Sequence, residues 1–279
     1  MPIPFEDEYT DVISKAQRGL GLKNIELMMR SGVSMIALED FLKGNFNPET
    51  SLRIAEILEL DPQSLALLAE NKIGIASIEC TPLTQWVLPF PNPSFPDQTV
   101  NAYTLELRSG ANILIDTGLD LTPVIEGYAS RQLNPPAAIL ITHHHHDHIE
   151  GMTQAQQHWP QVPIYAPEAH LLPSSKPFPD PFIIAGQTIS IRATPGHRPE
   201  AVTFLCENNN QRLAFSADTI FAASIGGIPQ KDYIQGLQTI REQILNLPPE
   251  TILCPGHGPL TTVAAELKSN PFFAHNKGI

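Results

Sequence analysis

Up to about residue 71 the apolar positions of this chain recur at helical spacing, and from about residue 76 they recur as short strand-like runs. Leu52, Ile54, Ala55, Ile57 and Leu58 return every three or four positions, the mark of an amphipathic helix. Asn47-Pro48 and Asp61-Pro62 open helices, and Asp61 is a plausible N-cap with Pro62 at the first helical position. Arg30-Ser31-Gly32-Val33-Ser34 ends one helix and begins the next, as a tight helix-turn-helix does. Strands are expected at residues 101–107, 112–116, 138–142, 188–193, 201–206, 212–216 and 251–254, and helices at 121–132, 152–159 and 233–247. Ser109-Gly110 and Asn209-Asn210 fall between strand-like runs, where hairpin turns belong. This order predicts an α+β chain: a small all-α domain over residues 1–75, then two sheets covered by outer helices over residues 76–279.

Composition adjusts the picture in three ways. A length of 279 residues exceeds what one compact core usually takes, which agrees with two domains. Three scattered cysteines, Cys80, Cys206 and Cys254, give neither a disulfide framework nor a C-x-x-C zinc pair. The net charge of −12, with 29 acids against 17 bases, argues against a nucleic-acid partner. No apolar run reaches the roughly 18–20 residues that span a bilayer, and the acidic start differs from a signal peptide. A cytoplasmic protein without membrane association is the expectation.

The chemistry gathers where strand Ala138–Ile141 runs into His143-His144-His145-His146-Asp147-His148. Five of the chain's ten histidines occupy that run of six residues, mid-chain and interrupted by an aspartate, so a purification tag does not explain it. In an extended strand end, residues two apart face one side. His143 and His145 can therefore pinch one metal ion, leaving Asp147 and His148 for a neighbour and His144 and His146 as spacers. Three further strand ends carry ligand-type residues in short turns: Thr194-Pro195-Gly196-His197, Ser216-Ala217-Asp218-Thr219 and Cys254-Pro255-Gly256-His257-Gly258. Each is weak alone; together they fill two ligand shells. Imidazole and carboxylate donors suit zinc first, with iron or manganese also compatible.

The succession of Ile115-Asp116-Thr117-Gly118, HxHxDH, TPGH, an aspartate turn and PGHGP resembles the metallo-β-lactamase superfamily over residues 77–273. The resemblance implies an αββα sandwich holding two divalent metal ions at one edge of its sheets. It assigns His143, His145 and His197 to one ion, Asp147, His148 and His257 to the other, and Asp218 to both. Asp116 would brace the ligand loop, and Asp147 would act in catalysis by orienting a metal-activated nucleophile and carrying its proton. The closing run from Pro255 through Thr262, with Glu266, Asn270, Pro271 and Phe272, is similar to that of glyoxalase II-type hydrolases. That similarity implies a small-molecule acyl substrate and hydrolysis of a thioester or related acyl bond. The chain departs from that group at Gly227, at Arg198-Pro199-Glu200 and in lacking a glutathione-gripping C-terminal helical domain. A lactonase, a mononuclear iron persulfide dioxygenase and a DNA-binding regulator that senses through its metal domain are the alternatives.

Residues Leu22–Leu65 resemble the helix-turn-helix of Cro/cI-type repressors. The helix that would read DNA offers Met35, Ile36, Glu39 and Asp40 rather than basic or amide side chains, and residues 1–75 hold 7 bases and 12 acids. Packing onto the hydrolase domain or onto a second subunit, as a homodimer, is the expectation for this face. His158, His170 and His275 are expected to be uninvolved, Cys254 to be a structural thiol, and Trp86 and Phe90 to pack in the core, with a substrate wall near the strand edge as the alternative. Arg198, next to a ligand, is a candidate for the pocket mouth, where it would meet an acidic substrate.

Overall fold

The computed structural model describes residues 3–74, 78–90, 98–208 and 210–274. Five helices come first: α1 (Tyr9–Gly19), α2 (Asn24–Ser31), α3 (Met35–Leu42), α4 (Pro48–Ile57) and α5 (Pro62–Ala69). Their starts follow from the caps. Ser34 accepts from the Ala37 amide at 3.2 Å, Asn47 from Thr50 at 2.9 Å and Asp61 from Ser64 at 2.7 Å. Each cap satisfies an amide that the first helical turn leaves without an internal partner.

One sheet then runs in the order β1 (Leu83–Pro89), β2 (Thr99–Glu106), β3 (Asn112–Ile115), β4 (Ala138–Leu140), β5 (Ile164–Tyr165) and β6 (Ser175–Lys176). A small hairpin, β7 (Ile183–Ile184) and β8 (Gln187–Thr188), leads to the second sheet. That sheet contains β9 (Ser190–Ala193), β10 (Val202–Asn208), β11 (Gln211–Ala217), β12 (Ile252–Pro255) and β13 (Thr261–Thr262), in the order β13-β12-β11-β10-β9. The helices between are α6 (Thr122–Ser130), α7 (His146–Ile149), α8 (Met152–His158), α9 (Tyr233–Ile240), which continues into a π-turn, and α10 (Val263–Ser269).

Strand alternation assigns every side chain to a layer. Tyr103, Leu105, Ile113, Ile115 and Leu140 meet Phe204, Leu213, Phe215, Ile252 and Cys254 between the sheets. Their neighbours Val100, Ala102, Leu114 and Ile139 point outward onto Leu121, Val124, Tyr128 and Trp159 of the helical layer. Both faces of each sheet are thus covered, as the αββα layering requires.

The expected hairpin at Ser109-Gly110 joins antiparallel β2 and β3, with Gly110 at φ 80°. Its counterpart at Asn209-Asn210 involves Asn209, which lies outside the described residues, as does His275. Strand β1 was absent from the sequence reading, because Pro82 and Pro89 bracket a run without clean alternation. The very short β5, β6 and β13 were missed as well; they exist through pairing with neighbours rather than through their own propensity.

The N-terminal helices do not stand apart from the sheets. Tyr9, Val12, Ile13 and Ala16 of α1 belong to one buried cluster with Ile220, Ala223, Ile225, Tyr233 and Phe272. At Gly19 a methyl group would lie 2.2 Å from the Tyr233 ring, so glycine is what allows α1 to lie against that tyrosine. The Asp61 amide donates to the Pro271 carbonyl at 2.7 Å, fastening α5 to the C-terminal segment. The predicted recognition-helix face behaves differently. Met35 is half-buried against the cluster, but Ile36 is 82% exposed and Glu39 and Asp40 are exposed too, so most of this face is turned outward. The contacts with the rest of the chain come from α1 and the start of α5.

Candidate metal centre

Strands β9, β11 and β12 run in the same direction, because β10 is antiparallel to both β9 and β11 while β11 and β12 are parallel. Their C-terminal ends therefore deliver His197, Asp218 and His257 to one edge of the second sheet. The histidine run reaches that edge from β4 of the first sheet, where the Val202 amide donates to the Thr142 carbonyl at 3.0 Å. The run is only partly extended: β4 stops at Leu140 and α7 begins at His146. Asp147 and His148 are thus presented by a helical turn, whereas the sequence reading had them on a strand end. The aspartate turn is shaped by a bulge between Phe215 and Ala217 and by Ala217 at φ 41°, a left-handed value uncommon for a residue with a Cβ.

Two groups of donors result. His143, His145, His197 and Asp218 offer atoms all within 4.8 Å of one another, and Asp147, His148 and His257 do the same. In the first group His145 Nδ1 lies 3.2 Å from His143 Nε2 and 2.8 Å from His197 Nε2. In the second, Asp147 Oδ2 is 3.3 Å from His257 Nε2 and 3.8 Å from His148 Nε2. Asp218 lies between the two. Its Oδ2 is 3.3 Å from His197 Nε2 and 3.6 Å from His257 Nε2, and its Oδ1 is 3.3 Å from His148 Nε2.

Outer partners fix which nitrogen each imidazole turns inward. His197 Nδ1 donates to the Gly227 carbonyl at 2.8 Å and His257 Nδ1 to the Thr99 carbonyl at 2.6 Å. A carbonyl oxygen only accepts, so those Nδ1 atoms carry the protons and each Nε2 faces the centre. His148 Nδ1 is engaged by Asp116 Oδ2 at 2.7 Å, and Asp116 also accepts from the Thr142 amide and hydroxyl, both at 2.8 Å. Asp116 is thus a brace for the ligand loop. The His257 turn is clamped across the sheets, since Asn101 Nδ2 donates to the carbonyls of Pro255 and Gly258 and Tyr103 Oη to that of Pro255. Two glycines allow the backbone to close around Asp218. A methyl group at Gly226 would sit 1.8 Å from the Asp218 carbonyl, and one at Gly256 would sit 2.1 Å from Asp218 Oδ1.

Charge is divided unevenly over the groups. Burial, reinforced by neighbouring imidazoles, pushes His143 well below the ordinary histidine value and His145 down to about 4. Burial would depress His148 also, but Asp116 and Asp218 pull it up to about 10. His257 is raised against its own burial by Asp218 and Asp147. Burial opposes ionisation of Asp218 and Asp147 too, yet the His257 and His148 imidazoles hold both carboxylates below their usual range.

The donor set fits divalent metal ions. His148 Nε2 and Asp218 Oδ1 are buried without a hydrogen-bond partner among the described residues, although each directs its coordinating atom into the centre. Such atoms are costly unless something satisfies them. Nitrogen and carboxylate oxygen in this proportion suit zinc, iron or manganese.

Residues 96–257, more than half of the chain, match the sequence profile of the Metallo-beta-lactamase superfamily. The chain belongs to that superfamily. Hydroxyacylglutathione hydrolases are among its similar relatives. That of Xylella fastidiosa strain M23 is 32% identical over 174 residues, covering 60% of this chain and 62% of the relative. That of Xanthomonas campestris pv. campestris strain B100 is 30% identical over 168 residues, covering 59% and 62%. The matched part of the chain spans less than two thirds of either relative. Among solved structures, the BLEG-1 B3 metallo-beta-lactamase is 28% identical with a TM-score of 0.58, covering 69% of this chain and all of that one. Helices α1–α5 lie outside the superfamily match, which begins at residue 96.

The bystander residues sort as expected for the most part. His144 turns away to the Pro167 carbonyl at 2.7 Å, and His146 pairs with Glu150 at the surface. Trp86 lies beneath the Arg131 guanidinium and donates to Thr104, within the outer layer. Phe90 meets both readings: it packs against the outer layer, and its ring, 6.3 Å from that of His257, lines the cavity over the donors. That cavity, about 500 Å³, is also lined by Glu6, Lys15 and Arg18 from the N-terminal region. Sequence reading missed these three. They sit in no motif, and the only hint was that Lys15 and Arg18, three apart, share a helix face.

Proposed function

We propose that this protein is a dinuclear metal-dependent hydrolase that cleaves a thioester or related acyl bond in a small-molecule substrate. The observation that carries the reading is Asp218, whose two carboxylate oxygens reach into both donor groups beneath an open cavity. His143, His145 and His197 would hold one ion, Asp147, His148 and His257 the other, with Asp218 shared. Divalent ions bound there would supply Lewis acidity and lower the pKa of a water nucleophile toward neutrality.

The chain's own residues perform the remaining work. The Asp147 carboxylate, 3.3 Å from His257 Nε2 in the second donor group, is the group placed to orient the nucleophile and take its proton. Asp116 fixes the ring of His148, and the Thr99 and Gly227 carbonyls fix those of His257 and His197. Phe90 and Phe221 flank His257 and give the cavity an apolar wall on that side. The hydroxyacylglutathione hydrolase relatives support a thioester over other acyl bonds.

Metal content of the purified protein by mass spectrometry, with hydrolysis of S-lactoylglutathione on the same sample, tests the reading. Roughly two ions per chain and turnover are expected. A single iron per chain with oxygen consumption would replace this reading with an oxidative one.

A further inference from the structure

A chain of net charge −12 repels anionic substrates at long range, yet one lobe of its cleft is walled by cations, with the acidic Glu6 and Asp7 on the other lobe. Beside the cavity over the donors lies a second one of about 480 Å³, lined by His145 and His197 from the first donor group together with Arg18, Arg198 and Gln230. Lys15, Arg18, His145 and Gly227 line both cavities, so the two are lobes of one cleft. Two of those shared residues come from α1, which lies outside the superfamily match.

The cations differ in what they are free to do. Lys15 is nearly buried; it pairs with Asp7, donates to the Ile225 carbonyl at 2.7 Å and lies over the Phe221 ring. Asp7 also accepts from the Ser224 hydroxyl. Lys15 is therefore a pin that fastens α1 to the loop after Asp218, with its charge offset by Asp7. Glu266 and Asn270 hold that loop from the other side, through the Ala223 amide and the Ser224 carbonyl.

Arg18 is exposed, and its Nε donates to the Ser14 carbonyl at 3.3 Å. No ion pair holds Arg18 among the described residues, and Asp11 on the same helix is its electrostatic neighbour. Arg198 uses its Nε on Glu200 at 3.1 Å, with 40% of the side chain exposed. Each guanidinium thus commits its Nε and keeps terminal N–H groups for a ligand, the arrangement that grips a carboxylate in two-pronged fashion.

We propose that α1 completes the active site, with Arg18 and Arg198 forming an anion subsite that grips a carboxylate of the substrate beside His145 and His197. This deepens the hydrolase reading and rests on it for the identity of the reacting bond. It gives the helical region a role in specificity. The bare surface arginine is the competing view, and it predicts no effect of Arg18 on binding.

The test compares wild type with R18A, R198A and a surface control, R53A, at equal metal content. Two readouts are used: KM and kcat for S-lactoylglutathione and for its dimethyl ester, and calorimetric binding of the unreactive thioether S-methylglutathione. R18A and R198A are each expected to raise KM for the free acid and weaken S-methylglutathione by about tenfold, the weight of one charge-assisted pair. The dimethyl ester, kcat and R53A should be unmoved. Unchanged KM and binding in R18A would overturn the subsite while leaving thioester hydrolysis standing. Failure of the wild type to bind S-methylglutathione saturably would overturn it too. Absence of turnover, with binding that still depends on Arg18, would remove the thioester reading and retain the subsite.

Discussion

The two donor groups share Asp218 and occupy one edge of the fold, but their surroundings set them to opposite protonation states. Around His143 and His145, burial and the neighbouring imidazoles outweigh the pull of Asp218 and keep these two rings neutral. Around His148 and His257 the neighbours are carboxylates, Asp116, Asp147 and Asp218, and the imidazoles hold protons far above neutral pH. A metal ion needs the lone pair of a neutral imidazole. His143 and His145 are therefore ready for metal at pH 7, while His148 and His257 must release protons first. In return, the carboxylates that raise the barrier to deprotonation supply the negative charge that balances a bound cation.

The largest effect expected from breaking this comparison is at the shared residue. D218A should abolish activity and reduce retained metal at both groups, read by mass spectrometry after gel filtration; retention of one ion at full occupancy would show that the groups do not depend on a shared carboxylate. Proton release sharpens the contrast next. Calorimetry of metal uptake at pH 7, in buffers of differing ionisation enthalpy, should find fewer protons released by the first ion than by the second, because His143 and His145 have none to give. For the second, about two are expected, from His148 and His257, so its apparent affinity falls steeply as the pH is lowered. Equal release from both steps would contradict the charge division. The smallest effect belongs to D116N, which removes a charge from the partner of His148 while keeping its shape. Its expected signature is a loss of roughly 10–100-fold in affinity for the second ion, with the first little changed.

How far the sequence disclosed this arrangement varied with distance along the chain. The pairing of His143 with His145, and the spacer roles of His144 and His146, were legible because neighbours on one short segment are constrained by backbone geometry alone. Asp61 and Asn47 were legible as caps for the same reason. For Phe90 the choice between core and substrate wall stayed open, because an isolated aromatic next to prolines gives no sign of which surface it will cover, and the ring does both. Lys15 and Arg18 were invisible as cleft residues. Nothing between residues 15 and 145 relates α1 to the histidine run, and their meeting depends on how Gly19 lets the helix settle on Tyr233.

By itself the sequence determined the chemistry on offer: imidazoles and carboxylates at strand ends, apolar runs that bury the sheet faces, and the caps that start α4 and α5. These are local properties, set by backbone period and by the donor atoms of each side chain. The family resemblance already implied that Asp218 serves both donor groups; only the tertiary structure decided that Asp116 and Asp218 charge His148 and that the N-terminal helix walls the cleft. Those outcomes depend on contacts between segments far apart in the chain, and such contacts are fixed by packing of the whole fold rather than by any one stretch of residues.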